Sequence, residues 1–259
     1  ELAEARAVVA ALGLALLPAS WRLTGGRAPA PVLALGLCIA LVNAAYYIAI
    51  DRLPVAVAIV LQYTAPAMVV AWTALAARRG PSREVLLALG TALAGVLLVS
   101  GVVGADVGRA DALGLAAGLA SGVLFASYTL VGERVVAAYG AVAGLFRAFL
   151  IASVLWLGWQ ATQGWPAELF EPAHLGRALY VGLAATLAPF LLYVWGIQHV
   201  RAARAAIAAT LEPVLAGLVA WAWLGQALEP VQVLGGVLVM GAVVLIQSRR
   251  RTRVPAPGV

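Results

Sequence analysis

The stretch "YYIAIDRLPVAVAIVLQYTAPAMVVAW" (residues 46–72) lies without a gap over "YVWGIQHVRAARAAIAATLEPVLAGLV" (193–219). Tyr46 meets Tyr193, Ile50 meets Ile197 and Pro66 meets Pro213. The match continues downstream, where Gly90 and Gly95 of "LGTALAGVLLV" fall on Gly236 and Gly241 of "GGVLVMGAVVLI". Upstream, "EARAVVAALGLALL" (4–17) falls on "LFRAFLIASVLWLG" (145–158) and sets Arg6 on Arg147. Alanine identities carry little weight in segments this rich in alanine. Prolines, arginines and glycine pairs that recur in one order carry much more, and they mark an internal repeat.

The repeat is written in lipid-like sequence. The chain is 64% hydrophobic and 11% charged, with a mean hydropathy of +0.99. Soluble domains run at about 45–50% apolar and about 25% charged, which excludes a water-soluble globule. The natural unit is a membrane span of roughly 20 apolar residues. All 17 basic residues are arginine, and the net charge is +6. That excess does not point to nucleic acid, because the arginines fall in short gaps between apolar runs and in the tail "SRRRTR", as topology signals do. Cys38 stands alone within an apolar run, so an internal disulfide and a multi-cysteine metal site are excluded. His174 and His199 show no metal-ligand spacing, and no phosphate-cradling loop or nucleophile elbow is present. Neither a metal, nor a cofactor, nor an enzymatic activity is expected. The opening "ELAEARAVV" has no basic n-region leading to a cleavage site, so no signal peptide is expected.

Apolar runs cover residues 4–20, 31–50, 55–77, 85–103, 111–131, 140–160, 178–197, 205–224 and 231–248, which predicts nine helices. Gaps such as "DRLP" and "GQALEP" are turns between antiparallel neighbours. The longest gap, "TQGWPAELFEPAHLGR", holds Trp165, Pro166 and Pro172 and is expected at the interface. Threading nine helices puts Arg22, Arg27, Arg78, Arg79, Arg83, Arg134, Arg201, Arg204, Arg249, Arg250, Arg251 and Arg253 on one side. Arg52, Arg109 and Arg177 fall on the other. The positive-inside rule assigns the richer side, and with it the C-terminus, to the cytoplasm.

The second half of the repeat holds five predicted helices and the first half four. The unmatched run is 111–131, whose counterpart would precede residue 1, so a further first helix and a complete set of ten are expected. Five helices per half make the two halves enter the membrane from opposite sides, the inverted layout of many secondary transporters. The expected architecture is an all-α integral membrane protein with an inverted five-plus-five repeat. Residues 1–103 would form the first repeat, 111–248 the second, and 249–259 a basic cytoplasmic tail.

With that layout, the chain resembles the drug/metabolite transporter superfamily, specifically permeases built of two EamA domains. Three features carry the resemblance: Arg6 and Arg147 early in the second helix of each half, the prolines of "QYTAP" and "TLEPV", and the ending "WLGQALEPVQVLGGVLVMGAVVLI". The ending is similar to that family's LGE…GxxLIxxG pattern, with Gln226 where the family usually has Glu. The resemblance implies a secondary transporter of the bacterial inner membrane that works by alternating access around a site near the midplane.

Within that frame Glu212 is the first candidate. An acid near a span's centre costs about 3 kcal/mol on insertion scales and usually faces a cavity or a partner. Its helical face carries Ala205, Ala208, Ala209, Ala216, Val219 and Trp223. Glu212 is read either as a proton-coupling or substrate-amine site or as a structural acid. Pro66 and Pro213 each remove an amide donor and free the carbonyl four residues back, on Gln62 and Ala209. Matched interruptions in the two halves point to a transporter's central site, whereas Pro189 adds a kink without a clear counterpart. Arg6 and Arg147 either hold substrate carboxylates or gates, or snorkel to headgroups, and Arg6 could instead pair locally with Glu4. The other candidates are Asn43, Tyr47, Gln62, Tyr63, Ser127, Tyr128, Thr186, Tyr193 and Thr210, each equally readable as an interhelical hydrogen bond. Gln62 maps onto Ala209, on the face of Glu212. Glycines 114, 118 and 122 form a small-residue stripe read as packing. The expected partners are the lipid bilayer, a small-molecule substrate and protons, with no nucleic acid. The function these features favour is export of amino acids or related small metabolites. Exchange or import of a sugar phosphate is the rival within transport, and a non-transporting membrane scaffold the rival outside it.

Overall fold

The computed structural model describes residues 2–22, 29–102, 111–164 and 172–248. Arg27, Arg109, Trp165, Pro166 and the basic tail 249–259 lie outside the described residues, as does the side chain of Pro172. Every described element is helical: α1 (Leu2–Ala15), α2 (Pro29–Arg52), α3 (Val55–Gln62), α4 (Ala65–Ala77), α5 (Arg83–Val99) and α6 (Ala112–Tyr139). They are followed by α7 (Ala141–Gln163), α8 (Pro172–Gly182), α9 (Ala188–His199), α10 (Ala202–Ala209), α11 (Leu211–Leu224) and α12 (Pro230–Ser248). Pairs α3/α4, α8/α9 and α10/α11 are single spans with a local break. Among the described residues the twelve helices therefore make up nine spans, at the nine places the apolar runs predict. The chain is an all-α integral membrane protein.

Seven spans are long and apolar enough to cross a membrane. The shorter two are α1, with 14 described residues, and α5, with 17. At 1.5 Å per residue α5 reaches about 25 Å, the lower limit for a crossing. Large apolar side chains crowd the outer surface, up to Trp223 at 86% exposure, as lipid-facing side chains do. Trp21, Trp72, Trp159, Trp195, Trp221 and Trp223 are all exposed and all sit within or just beyond the last turns of their spans, where an aromatic belt meets the headgroups.

Two spans run several residues past their apolar patterns: α8 starts at Pro172, within the gap expected at the interface, and α6 extends beyond Val131. "GERVVAAYG" reads as a gap, but it contains no proline and only the single Gly132 before Gly140, so α6 continues to Tyr139. The chain then turns at Gly140 (φ 76°), where glycine has no Cβ to clash, and α7 starts at once. At its other end α6 is capped by Asp111, whose Oδ2 accepts from the Gly114 N–H at 3.1 Å and from Arg52 at 3.0 Å. The hydrogen bond from Arg52 is the main reason this carboxyl titrates below its ordinary range.

The helices form two compact units. One is drawn from Glu1–Ile48 and Leu124–Ala202, the other from Ala49–Val123 and Ala203–Val259. Each combines helices from both halves of the sequence repeat. In the first, α1 packs on α7, its counterpart in the repeat, around buried Ala7, Ala10, Leu14, Leu145, Phe149 and Ala152. In the second, the counterparts α5 and α12 pack together along Ala88, Ala92, Val96, Val239, Ala242 and Ile246.

The α5–α12 crossing is made by backbone. A Cβ at Gly95 would stand 2.7 Å from the Gly235 carbonyl oxygen, and one at Gly235 would stand 2.7 Å from the Gly95 oxygen. Only half of the aligned glycine pattern serves it. Gly95 and Gly236 are buried, whereas Gly90 and Gly241 face outward with open space beside them, and the contact partner is Gly235. In lipid no hydrophobic force draws helices together, so such close approach is the source of adhesion.

The stripe on α6 is also packing. Gly114 meets Arg52 and Leu53, Gly118 meets Leu61, and Gly122 lies against the chain just past α3. A Cβ at Gly122 would fall 2.7 Å from Thr64 Oγ1 and 2.8 Å from the Leu61 carbonyl oxygen. Gly95→Val and Gly122→Val are each expected to destabilise the purified protein by about 1–3 kcal/mol or more, since backbone cannot yield as a side chain can. Gly90→Val and Gly241→Val should leave the thermal midpoint in detergent nearly unchanged, because both positions are open.

Candidate functional site

Both proline-marked spans break in the same way. Thr64 directs its N–H and its hydroxyl to the Leu61 carbonyl, at 3.3 and 2.6 Å. Thr210 does the same to Ile207, at 3.2 and 2.6 Å. Each threonine thus closes one tight turn three residues long, and the helix restarts with proline in its first turn, where no amide donor is needed. The threonines are not at equivalent repeat positions: Thr64 precedes Pro66 by two residues, Thr210 precedes Pro213 by three.

Of the carbonyls freed by proline, that of Ala209 is met from elsewhere in the same unit. Tyr63 sends its hydroxyl towards the Ala209 oxygen at 3.3 Å, and Gln62 O lies 3.4 Å from the position a Cβ on Gly122 would take. The Tyr63 ring is buried at 4% exposure among Val96, Val214 and Val239. Its hydroxyl also donates to Glu212 Oε2 at 2.8 Å, the better of its two contacts. Glu212 itself is exposed, in the first turn of α11, as are Ala216, Val219 and Trp223 further along its face. Gln62 ends α3 half-buried, and the residue that reaches Glu212 is its neighbour Tyr63. Tyr63 and Glu212 therefore form a polar pair in the second unit, beside the breaks marked by Pro66 and by Thr210 and Pro213.

A different group forms in the first unit. Arg6 on α1 is half-buried; its Nε donates to Thr186 Oγ1 at 2.8 Å and its Nη1 to the hydroxyl of Tyr47 on α2. Thr186 sits in a single π-helical turn, Leu183–Leu187, inserted between α8 and α9 just before Pro189. Pro189 cannot donate to the carbonyl of Ala185, four residues back, and the wider turn takes up that misfit. In the wider turn the Thr186 hydroxyl bonds the Val181 carbonyl five residues back, at 2.8 Å. The kink that had no counterpart in the repeat is thus what delivers Thr186 to Arg6.

Arg147, the repeat counterpart of Arg6, is spent on backbone. Its guanidinium donates to the carbonyls of Ala143 (2.8 Å), Arg22 (3.0 Å) and Ser20 (3.5 Å) and lies 5.0 Å from the Tyr139 ring centroid. It thereby ties down the 3₁₀ turn Pro18–Trp21 that follows α1. Asn43 bonds the Ile39 carbonyl of its own helix at 2.9 Å, and Ser127 is half-buried on α6. Tyr193 pairs with Thr129 at 2.9 Å. Tyr128 stacks on Tyr193 and Phe125 and meets Phe190 edge-on, all within 6.1 Å between centroids. Its hydroxyl, at 2% exposure, has no hydrogen-bond partner among the described residues. Sequence reasoning named Tyr63 and Thr186 but had no signal for their partners, which come from distant helices.

Tyr128→Phe removes a buried oxygen that has no partner among the described residues and should raise unliganded stability by about 1 kcal/mol, read as a higher thermal midpoint. Tyr63→Phe should lower it by a similar amount, and a double-mutant cycle with Glu212→Ala should return a coupling of about 0.6–1.7 kcal/mol, the range found for side-chain hydrogen bonds within membranes. A coupling of zero would mean that the two side chains do not bond in the bilayer.

The chain is similar to known proteins. Residues 112–248 match the EamA-like transporter family. The uncharacterized transporter YwfM of Bacillus subtilis is 32% identical over 55% of this chain, an alignment that spans about half (48%) of that protein. The uncharacterized inner membrane transporter YicL of Salmonella typhimurium is 29% identical over 82% of this chain and 71% of its own length. The threonine/homoserine exporter RhtA of Escherichia coli is 29% identical over 90% of this chain and 76% of its own length. A solved crystal structure superposes with a TM-score of 0.74 at 17% identity, covering 96% of this chain and 88% of the other, which speaks for the fold alone. The apolar spans, the helix breaks and a family match over more than half of the residues agree: this chain belongs to the EamA-like transporter family.

Proposed function

We propose that this chain is a secondary transporter that exports amino acids or related small metabolites by alternating access, with a proton bound at Glu212 as the coupling ion. In this reading residues 1–103 and 111–248 act as two EamA repeats. The membrane is the bacterial inner membrane, with the C-terminus in the cytoplasm, as the arginine distribution favours. The observation that carries the proposal is the Tyr63–Glu212 hydrogen bond, which sets an exposed intramembrane carboxylate at the broken turn of α10/α11. Similarity to a threonine/homoserine exporter over 90% of the chain supports the substrate class.

The chemistry follows from the two acceptors of Tyr63. Ionised Glu212 takes the hydroxyl proton of Tyr63 in a charge-assisted bond, the stronger kind. Protonation removes that charge and weakens the bond, while the Ala209 carbonyl, already 3.3 Å away, stays within reach of the same hydroxyl. Loading a proton thus loosens the tie between α3 and α11 while keeping the one between α3 and the end of α10. A protonation event at one carboxylate can in this way bias a two-state element, which is what coupling requires.

In proteoliposomes, efflux of threonine or homoserine should accelerate under an imposed pH gradient. Glu212→Gln should abolish that acceleration while leaving gradient-free exchange of substrate measurable. Full pH-driven transport by Glu212→Gln would rule out coupling through this residue.

A further inference from the structure

Arg6 carries a charge that its hydrogen-bond partners among the described residues do not match. Its two partners among the described residues are hydroxyl oxygens, and both are neutral. A guanidinium presents five N–H donors in a planar fork, and the bonds to Thr186 and Tyr47 engage two of them. The hydroxyls differ in what they still offer. Thr186, at 1% exposure, gives its one proton to the Val181 carbonyl, so it meets Arg6 purely as an acceptor. Tyr47 accepts from Nη1, which leaves its own proton available to a further acceptor on that side of the guanidinium. A planar fork of N–H groups with a hydroxyl proton next to it is the donor set that a carboxylate takes, two oxygens to the fork and one shared with the phenol.

Arg147 provides the internal comparison. At the equivalent repeat position its guanidinium is engaged by three backbone carbonyls and an aromatic face, a structural use of the charge. Arg6 instead lies along an apolar span, held by a π-helical turn of a kind often found at functional positions.

We propose that Arg6 and Tyr47 bind the carboxylate of the transported solute, with Thr186 as the positioning residue that fixes the guanidinium. This rests on the transporter reading above for the solute and deepens it, by naming a small organic carboxylate, zwitterionic amino acids included, as the ligand class.

The test is equilibrium binding to the purified full-length protein of L-threonine and of L-threoninol, the same molecule with an alcohol in place of the carboxylate. Succinate and succinamide form a second pair. Wild type should bind threonine at least tenfold tighter than threoninol, and Arg6→Gln should erase the difference. Arg6→Lys should keep part of it, because it keeps the charge and loses the fork. Tyr47→Phe should weaken threonine binding several-fold and leave threoninol unchanged. Thr186→Val should weaken it as well, with Thr186→Ser restoring it, a rescue that simple loss of packing would not show. If Arg6→Gln does not fold, the Lys and Phe variants carry the same comparison. An undiminished preference for threonine in the Arg6 and Tyr47 variants, or a wild type indifferent to the carboxylate in both pairs, overturns the proposal. A wild type that ignores threonine but prefers succinate to succinamide through Arg6 upholds the site and overturns amino-acid export.

Discussion

The demand that every backbone polar group find a partner without help from water organises this protein. Nine spans meet it by being helical. Three of them are interrupted, and at each interruption a threonine hydroxyl bonds a backbone carbonyl: Thr64 that of Leu61, Thr210 that of Ile207, and Thr186 that of Val181 at the π-helical turn. The repairs in turn fix the neighbours. Gly122 has to be glycine because α6 comes close to two carbonyls at the first break, and Tyr63 is buried where its hydroxyl reaches the carbonyl freed at the second. The candidate site is thus a by-product of closing the hydrogen-bond account of the helices that surround it.

A duplicated sequence does not make duplicated chemistry. Arg6 and Arg147 occupy equivalent positions, yet one is bound by side-chain hydroxyls and the other by backbone and an aromatic ring. Tyr63 falls on Thr210 in the repeat, and both sit at a break, one as a hydrogen-bond donor to a distant carboxylate and the other as a local cap. Gly95 and Gly241 align, but only the first lies in the α5–α12 crossing. The aligned prolines both fall at helix breaks, whereas the aligned polar side chains have different partners.

What could be read from the sequence follows the same division. Hydrophobic run length located all nine spans, because the bilayer imposes a length and a polarity on each segment independently of its neighbours. Pro66 and Pro213 announced their breaks for a similarly local reason. Where two helices meet, the sequence was mute: nothing in "LEPV" names Tyr63, and nothing around Arg6 names Thr186, which is 180 residues away. The continuation of α6 to Tyr139 escaped a pattern tuned to apolar residues, since helix formation needs no hydrophobicity once a breaker is absent. The choice of Gly235 over Gly236 at the α5 crossing depended on the rotation of one helix about its axis, which an alanine- and valine-rich surface does not encode.

The α5–α12 seam has a mechanical consequence. Two helices that meet backbone to backbone at Gly95 and Gly235 have little side chain between them at that crossing to absorb sliding, so the pair behaves as a stiff strut within its unit. Any bending there is left to α3/α4 and α10/α11, which carry ready-made joints at Thr64 and Thr210. Such a division of labour also channels evolution. Substitutions in the strut need a compensating change on the facing helix, whereas the jointed helices are free to drift, so a new substrate range would be acquired by rewriting the joints around an unaltered strut.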